Sequence, residues 1–176
     1  MQDFKNKTWF QALSHSQQDL VSQAYILLDQ EQADLNDYHD FSFIVFPMAK
    51  AYEGFLKQFF LDLGIISQKQ FTSTHFRIGK SLNPDLPARY RRSDWIVDRL
   101  DQTCPILPSE YVGTKLSRHL WKTWKKYRNR LFHFFPEHAN FISLKDAETG
   151  LHHLTEMMSL AESYRPQIKP RSDSVQ

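Results

Sequence analysis

The sequence predicts an all-α fold, in which four main helices form a bundle with an irregular insertion. Apolar residues recur at helical spacing along several stretches, and the evenly spaced alternating runs of a β-sandwich or barrel are missing. Glycine is scarce, with 5 in 176 residues, and hydrophobic residues make up 41% of the chain, which is enough for one real core. We therefore expect one domain over residues 1–166 and a disordered tail over 167–176.

The N-terminal half predicts two helices followed by the insertion. Residues 8–33 carry Trp, Leu and Ala at helical spacing among Gln and Ser, which predicts a first helix. Residues 41–63 are apolar nearly all round, which predicts a second helix that is buried on most sides. Pro47 should start or bend this helix, and Gly64 is a natural stop at its end. Residues 64–92 are punctuated by Gly and Pro and are expected to be irregular.

The C-terminal half predicts one short and two long helices. Residues 93–100 should form the short helix, with Ser93 as its N-cap. Residues 109–135 should form a long basic helix, which a proline closes. Residues 144–164 should form the last helix, with Leu, Met and Ala facing inward.

Composition also bears on location and on cofactors. Cys104 is the only cysteine, so no internal disulfide can form, and we find neither a signal core nor a stretch that could span a bilayer. We therefore expect a cytoplasmic protein that does not enter a membrane. The eight histidines lack the spacing of a zinc site and no Gly-rich phosphate loop is present, so no metal or other cofactor is expected.

Charge is unevenly distributed, although the formal net charge is only +2. Residues 1–63 carry four Lys or Arg against nine Asp or Glu, and residues 64–176 carry 18 against 11. From Lys115 to Pro136 there are seven Lys or Arg and no acidic residue. This uneven charge favours either attraction between the acidic and the basic part of the chain or a polyanion site on the basic part. Ordinary solvent-exposed charged faces explain the distribution equally well.

Two charged residues interrupt apolar stripes on the predicted helices. Arg128 lies within about 60° of several Trp, Leu and Phe residues on a wheel of the basic helix. Glu53 lies equally close to Phe, Ala and Leu residues on the second helix. An unpaired buried charge is very costly, so we expect Glu53 and Arg128 to pair, either as a purely structural ion pair or in a wet cleft.

His133 follows Arg128 by five residues and can exchange a proton near neutral pH, since its reference pKa is about 6.5. Five residues correspond to about 140° round an ideal helix, so the two side chains do not share a face of one straight helix. They can converge only if the helix bends before Pro136 or if a second subunit supplies one of them.

The run Arg128-Asn129-Arg130-Leu131-Phe132-His133 resembles the Arg-x4–6-His motif of HEPN domains, including a polar residue directly after the Arg. The segment 46–57, which reads FPMAKAYEGFLK, is similar to the second helix of the HEPN domain in RNase LS-type toxins. In those toxins an acidic residue, matched here by Glu53, accompanies the Arg/His pair, and an Asp precedes it; Asp40 is the best match for that Asp. The resemblance covers roughly residues 35–165.

The resemblance implies an α-helical bundle that dimerises, with two Arg128/His133 pairs meeting in a cleft across the dimer interface. Many HEPN domains are metal-independent endoribonucleases of toxin–antitoxin, CRISPR-associated or other phage-defence systems, so an antitoxin or defence-system partner is implied. Two features depart from the family. The chain has no room for the extra domains of RNase LS-type toxins, and Phe135 lacks the hydroxyl that is modified in another HEPN group.

These observations predict an endoribonuclease that acts on single-stranded or looped RNA without a metal. His133 would move the proton, Arg128 would stabilise phosphoryl charge, and Glu53, with Asp40, would hold Arg128 and tune His133. The rival interpretation is a non-catalytic helical module that binds RNA or an acidic protein partner. The predicted RNA-binding side chains are Lys122, Lys125, Lys126, Asn129 and Arg130.

Overall fold

The computed structural model describes residues 4–34, 36–91, 95–104, 111, 113–137 and 140–165, and all regular elements in these ranges are helical. The predicted all-α class is confirmed. The α-helices are α1 (Thr8–Gln11), α2 (His15–Ala33), α3 (Ser42–Asp62), α4 (Gln68–Thr72), α5 (Ile78–Ser81), α6 (Val97–Thr103), α7 (Leu116–Trp124) and α8 (Leu144–Glu162). A 3₁₀ turn spans Ala88–Tyr90, and a π-helix, Lys125–Arg130, continues α7. The predicted tail 167–176 lies outside the described residues.

The predicted first helix is divided into α1 and α2, so the prediction of one helix over residues 8–33 was wrong. Ser14 is the cause, because it starts α2 as an N-cap. Its hydroxyl accepts from the Gln17 backbone N–H, and the Gln17 side chain accepts from the Ser14 backbone N–H. This reciprocal capping box satisfies two backbone donors at the start of α2.

Helix α3 is the central helix and packs against α2, α8 and the helix formed by α7 and the π segment. Most of its side chains are buried, as its composition predicts. Pro47 does not start the helix, because α3 begins at Ser42. Gly64 does end it: with φ of 63°, it donates to the Leu61 carbonyl, and the next N–H donates to the Phe60 carbonyl. This pattern is the Schellman motif.

The insertion over residues 64–92 is more regular than predicted, since it contains α4, α5 and the 3₁₀ turn. Ser67 and Gln70 form a second capping box, which starts α4. The short helix predicted over residues 93–100 is α6, which begins later and has Ile96 as its N-cap. The predicted N-cap, Ser93, lies outside the described residues.

The basic helix is shorter than the predicted range 109–135 and changes its hydrogen-bonding pattern within it. It begins at Leu116, widens from α to π geometry at Lys125 and ends at Arg130. Two glycines allow this helix to approach its neighbours closely. A Cβ atom on Gly79 would lie 2.3 Å from the Trp124 ring, and a Cβ atom on Gly150 would lie 3.0 Å from the Tyr127 ring.

Helix α8 closes the bundle and largely confirms the prediction over residues 144–164. Ser143 caps it, with Asp146 as the reciprocal partner. Its inward face packs into one continuous apolar core with α2, α3 and α7; the predicted inward residues Leu151, Leu154, Met157, Met158 and Ala161 are all buried there. No helix in the described part of the chain is long and apolar enough to cross a membrane.

Candidate functional site

Glu53 and Arg128 are in direct contact, as the two interrupted apolar stripes predicted. Arg128 Nε donates to Glu53 Oε2 at 3.0 Å, between α3 and the π-helix. Of the two alternatives, a purely structural buried pair or a pair in a wet cleft, the exposure fits the second, because the Arg128 side chain is 36% exposed and that of Glu53 is 30% exposed. The pair lies at the protein surface, where water reaches it. Among the described residues, the bond to Glu53 occupies only the Nε donor of Arg128, so the terminal nitrogen atoms of the guanidinium remain for a ligand.

The pair forms the wall of a cleft of about 310 Å³, which we call the Arg128 cleft; it is lined by Phe46, Lys50, Glu53, Gly54, Lys57 and Arg128. Sequence reasoning missed Lys50 and Lys57. Their spacing from Glu53, three residues before and four after, places all three on one face of α3 and would have identified them. The cleft therefore has three cationic side chains against one carboxylate, which suits a polyanion.

Asp40 does not lie in the Arg128 cleft, and its hydrogen bonds go to the protein backbone and a neighbouring hydroxyl. Oδ1 accepts from the N–H groups of Ser42 and Ile142, each at 3.1 Å, and Oδ2 accepts from the Ser42 hydroxyl at 2.6 Å. The Phe41 N–H in turn donates to the Ile142 carbonyl. Asp40 thus connects the start of α3 to the segment before α8. It stabilises the fold there and does not contact Arg128.

His133 lies in the exposed turn after the π-helix and lines a second cleft of about 440 Å³, the His133 cleft. The other lining residues are Asp40, Ser42, Phe46, Leu131, Phe132, Phe134, Asn140 and Phe141. Asn140 fixes this turn, because its Nδ2 donates to the carbonyls of Arg130 and His133, both at 3.1 Å. The Arg128 and His133 clefts share Phe46, so the motif arginine and histidine face neighbouring parts of one surface.

The predicted RNA-binding residues divide between different surroundings. Lys126 and Arg130 line a third cleft of about 310 Å³, the Arg130 cleft, with Tyr127, Leu131, Asn140, Phe141, Ile142, Asp146 and Thr149. Lys125 lies elsewhere, with its Nζ 5.9 Å from the centre of the Trp121 ring. Lys122 is exposed and lies near His119. Burial lowers the pKa of His119, and the charge of Lys122 lowers it further. Asn129 lines none of the three clefts.

Exposed aromatic side chains surround the His133 cleft, and sequence reasoning missed them. Phe134 is 80% exposed, and Phe46 and Phe141 are each 47% exposed. Phe46 packs edge-on against Phe132 at 5.2 Å, and Phe141 lies 4.2 Å from the His39 ring. The signal available in the sequence was the density of Phe in the first turns of α3 and after the π-helix.

The described residues contain no cluster of three or more His, Cys, Asp or Glu side chains that could hold a metal ion. The surface instead offers an arginine oriented by a carboxylate, two lysines and an imidazole, a set that can bind a phosphate and move a proton. Comparisons with protein-family models, with curated proteins and with solved structures find no match to this chain.

Proposed function

We propose that this protein is a metal-independent endoribonuclease with a HEPN-like bundle, which acts as a toxin or phage-defence effector. The observation that carries the proposal is the Glu53–Arg128 hydrogen bond at the edge of a cationic cleft that adjoins the cleft of His133. Since Glu53 holds Nε, the remaining guanidinium N–H groups of Arg128 can bind phosphoryl oxygens. The resemblance of residues 128–133 and 46–57 to HEPN sequences supports the same interpretation.

The reaction we propose breaks one P–O bond and forms another. The RNA 2′-oxygen attacks the adjacent phosphorus, and a neutral His133 imidazole takes the 2′-OH proton as general base. Arg128 stabilises the charge on the non-bridging oxygens. The bond to the 5′-oxygen then breaks, and that oxygen takes a proton from an imidazolium, which His133 of a second subunit supplies. The products are a 2′,3′-cyclic phosphate and a 5′-OH.

The proposal includes a homodimer, because each subunit then contributes an Arg128/His133 pair to one cleft. The surface that supports this is the turn after the π-helix, where Phe134 is 80% exposed beside His133. Light scattering at tens of micromolar, the range of weak association, should give the mass of a dimer. A monomer at that concentration contradicts the two-subunit proton transfer.

The direct test is cleavage of a single-stranded RNA by the purified protein in EDTA, with analysis of the new ends. We expect 2′,3′-cyclic phosphate and 5′-OH ends, and about 10²–10⁴-fold less cleavage by a folded His133→Ala protein. Cleavage only after addition of Mg²⁺ or Mn²⁺, 3′-OH ends, or full activity of His133→Ala would each refute the mechanism.

A second candidate function is a non-catalytic module that binds RNA or an acidic protein partner. One observation favours it: within the described residues, the His133 side chain has no hydrogen bond or ion pair that would orient it for proton transfer. In that case His133→Ala should leave RNA binding intact and the unmodified protein should not cut RNA.

A further inference from the structure

The three clefts around the π-helix adjoin one another, because neighbouring clefts share lining residues. Phe46 lines both the Arg128 cleft and the His133 cleft. Leu131, Asn140 and Phe141 line both the His133 cleft and the Arg130 cleft. The clefts therefore lie side by side in the order Arg128, His133 and Arg130, with Phe46 and Phe141 at the two boundaries.

Cationic side chains lie at the two ends of this row of clefts, which we call the path, and aromatic side chains lie between them. The Arg128 cleft contributes Lys50, Lys57 and Arg128 at one end, and the Arg130 cleft contributes Lys126 and Arg130 at the other. The middle carries the exposed rings of Phe46 and Phe141, both 47% exposed.

The three carboxylates on the path are all engaged by the protein. Glu53 accepts from Arg128, and Asp40 accepts from Ser42 and from a backbone N–H. Asp146 accepts from Ser143, whose hydrogen bonds hold the pKa of that carboxyl below its usual value, with a smaller contribution from Lys126. The path therefore carries five cationic side chains against three carboxylates, and its net charge is positive.

We infer that the three clefts form one binding track for single-stranded RNA, in which phosphates occupy the cationic ends and an unpaired base stacks on Phe141 between them. The identity of the ligand as RNA rests on the proposed function. Single strands fit because their bases are free to stack on aromatic side chains while a cationic groove follows the backbone, whereas the bases of a duplex are stacked on one another. The cations at both ends of the track match the phosphates of a polyanion such as RNA.

The experiment uses an eight-nucleotide 2′-O-methyl oligouridylate with a fluorescein label, which cannot be cleaved through its 2′-oxygen. Its affinity is measured by fluorescence anisotropy at several salt concentrations. Phe141→Ala should weaken binding about 5- to 150-fold, the effect of one lost base–aromatic stack, and leave the salt dependence unchanged. Arg130→Gln should make the slope of log K against log salt shallower by about 0.7, the effect of one lost phosphate contact on a single strand.

Two matched control variants lie outside the track. Tyr90 is an exposed aromatic residue beside Arg89, and Lys69 is an exposed cation on α4. Tyr90→Ala and Lys69→Gln should change neither the affinity nor the salt slope. Circular dichroism should show that all four variants remain helical; both track residues are exposed at the surface, so neither substitution opens a core cavity.

The results separate the track from the catalytic proposal, because the probe is not a substrate. Both expected effects on the probe support the track, even if natural RNA is not cut in EDTA. Unchanged probe binding by Phe141→Ala and Arg130→Gln overturns the track, even if natural RNA is cut. If Phe141→Ala has the mass of a monomer and binds the probe as well as the unmodified protein does, the track is also overturned. The aromatic surface would then be a contact between two copies of the chain.

Discussion

Replacing Glu53 with Gln tests how the arginine of the motif is held, because the amide keeps the shape of the side chain and removes its charge. The structure places one hydrogen bond of 3.0 Å between side chains that are 36% and 30% exposed. Partly exposed ion pairs stabilise proteins by about 0.2–1 kcal/mol. We therefore expect Glu53→Gln to lower the free energy of unfolding by no more than about 1 kcal/mol, rather than the roughly 3–5 kcal/mol of a broken buried pair.

Activity should respond far more strongly than stability to the same change. Without the carboxylate, the guanidinium of Arg128 loses the charge-assisted bond that fixes its plane relative to the phosphate. A catalytic group that is misplaced by about 1 Å can cost about 10²-fold in rate. We therefore expect kcat/KM for RNA cleavage to fall about 10²-fold, which corresponds to roughly 2.7 kcal/mol of lost transition-state stabilisation.

The assay combines urea unfolding, followed by circular dichroism, with RNA cleavage in EDTA. Asp85→Asn is the matched control, because Asp85 also pairs with an arginine, Arg118, at 3.7 Å, and these side chains are 68% and 52% exposed. The control should change neither stability nor cleavage appreciably. Unchanged cleavage by Glu53→Gln would refute the orienting role of the carboxylate. A stability loss above about 3 kcal/mol would show that the pair is a structural element of the core.

Three further predictions concern the scaffold. Gly79→Ala should destabilise the protein by about 1–3 kcal/mol in urea unfolding, because its Cβ would lie 2.3 Å from the Trp124 ring; an unchanged midpoint would contradict this packing. Ser14→Ala should lower the free energy of unfolding by about 1 kcal/mol in the same assay, since it removes the capping box of α2; an unchanged midpoint would contradict this role of Ser14. Burial lowers the pKa of His153, although Glu156 acts in the opposite direction, so the folded state favours the neutral ring. The free energy of unfolding should therefore be greatest above pH about 6.5 and should decrease below it, because the unfolded chain takes up a proton there. This decrease should be smaller in His153→Gln.

Local signals explain which elements could be predicted from the sequence. The apolar periodicity of α3 and α8 and the glycine at position 64 act over a few residues, and these predictions match the structure within two residues. The contact between Glu53 and Arg128 was also predictable, because each charge lies among apolar residues on a helix that must pack against the other. The division of the first helix was missed although Ser14 and Gln17 have the spacing of a capping box.

Other features depend on residues that are distant in sequence. Asp40 was predicted to act with Glu53 on Arg128, yet its carboxylate accepts from the backbone N–H of Ile142, 102 residues later. No local pattern predicts that bond. The exposure of Glu53 and Arg128 likewise depends on what covers their helices, and a helical wheel shows only which residues share a face.

The π-helix explains why a wheel of 100° per residue misplaces the end of the basic helix. That wheel separates Arg128 and His133 by about 140°, but the helix ends at Arg130 and His133 lies in the turn beyond it. Within the π segment itself, i→i+5 hydrogen bonding places more residues in each turn than the wheel assumes. Lys126 and Leu131, also five apart, line the same cleft. Because the widened segment carries Arg128 and ends just before the turn of His133, its geometry sets how the two motif residues face the surface around Phe46.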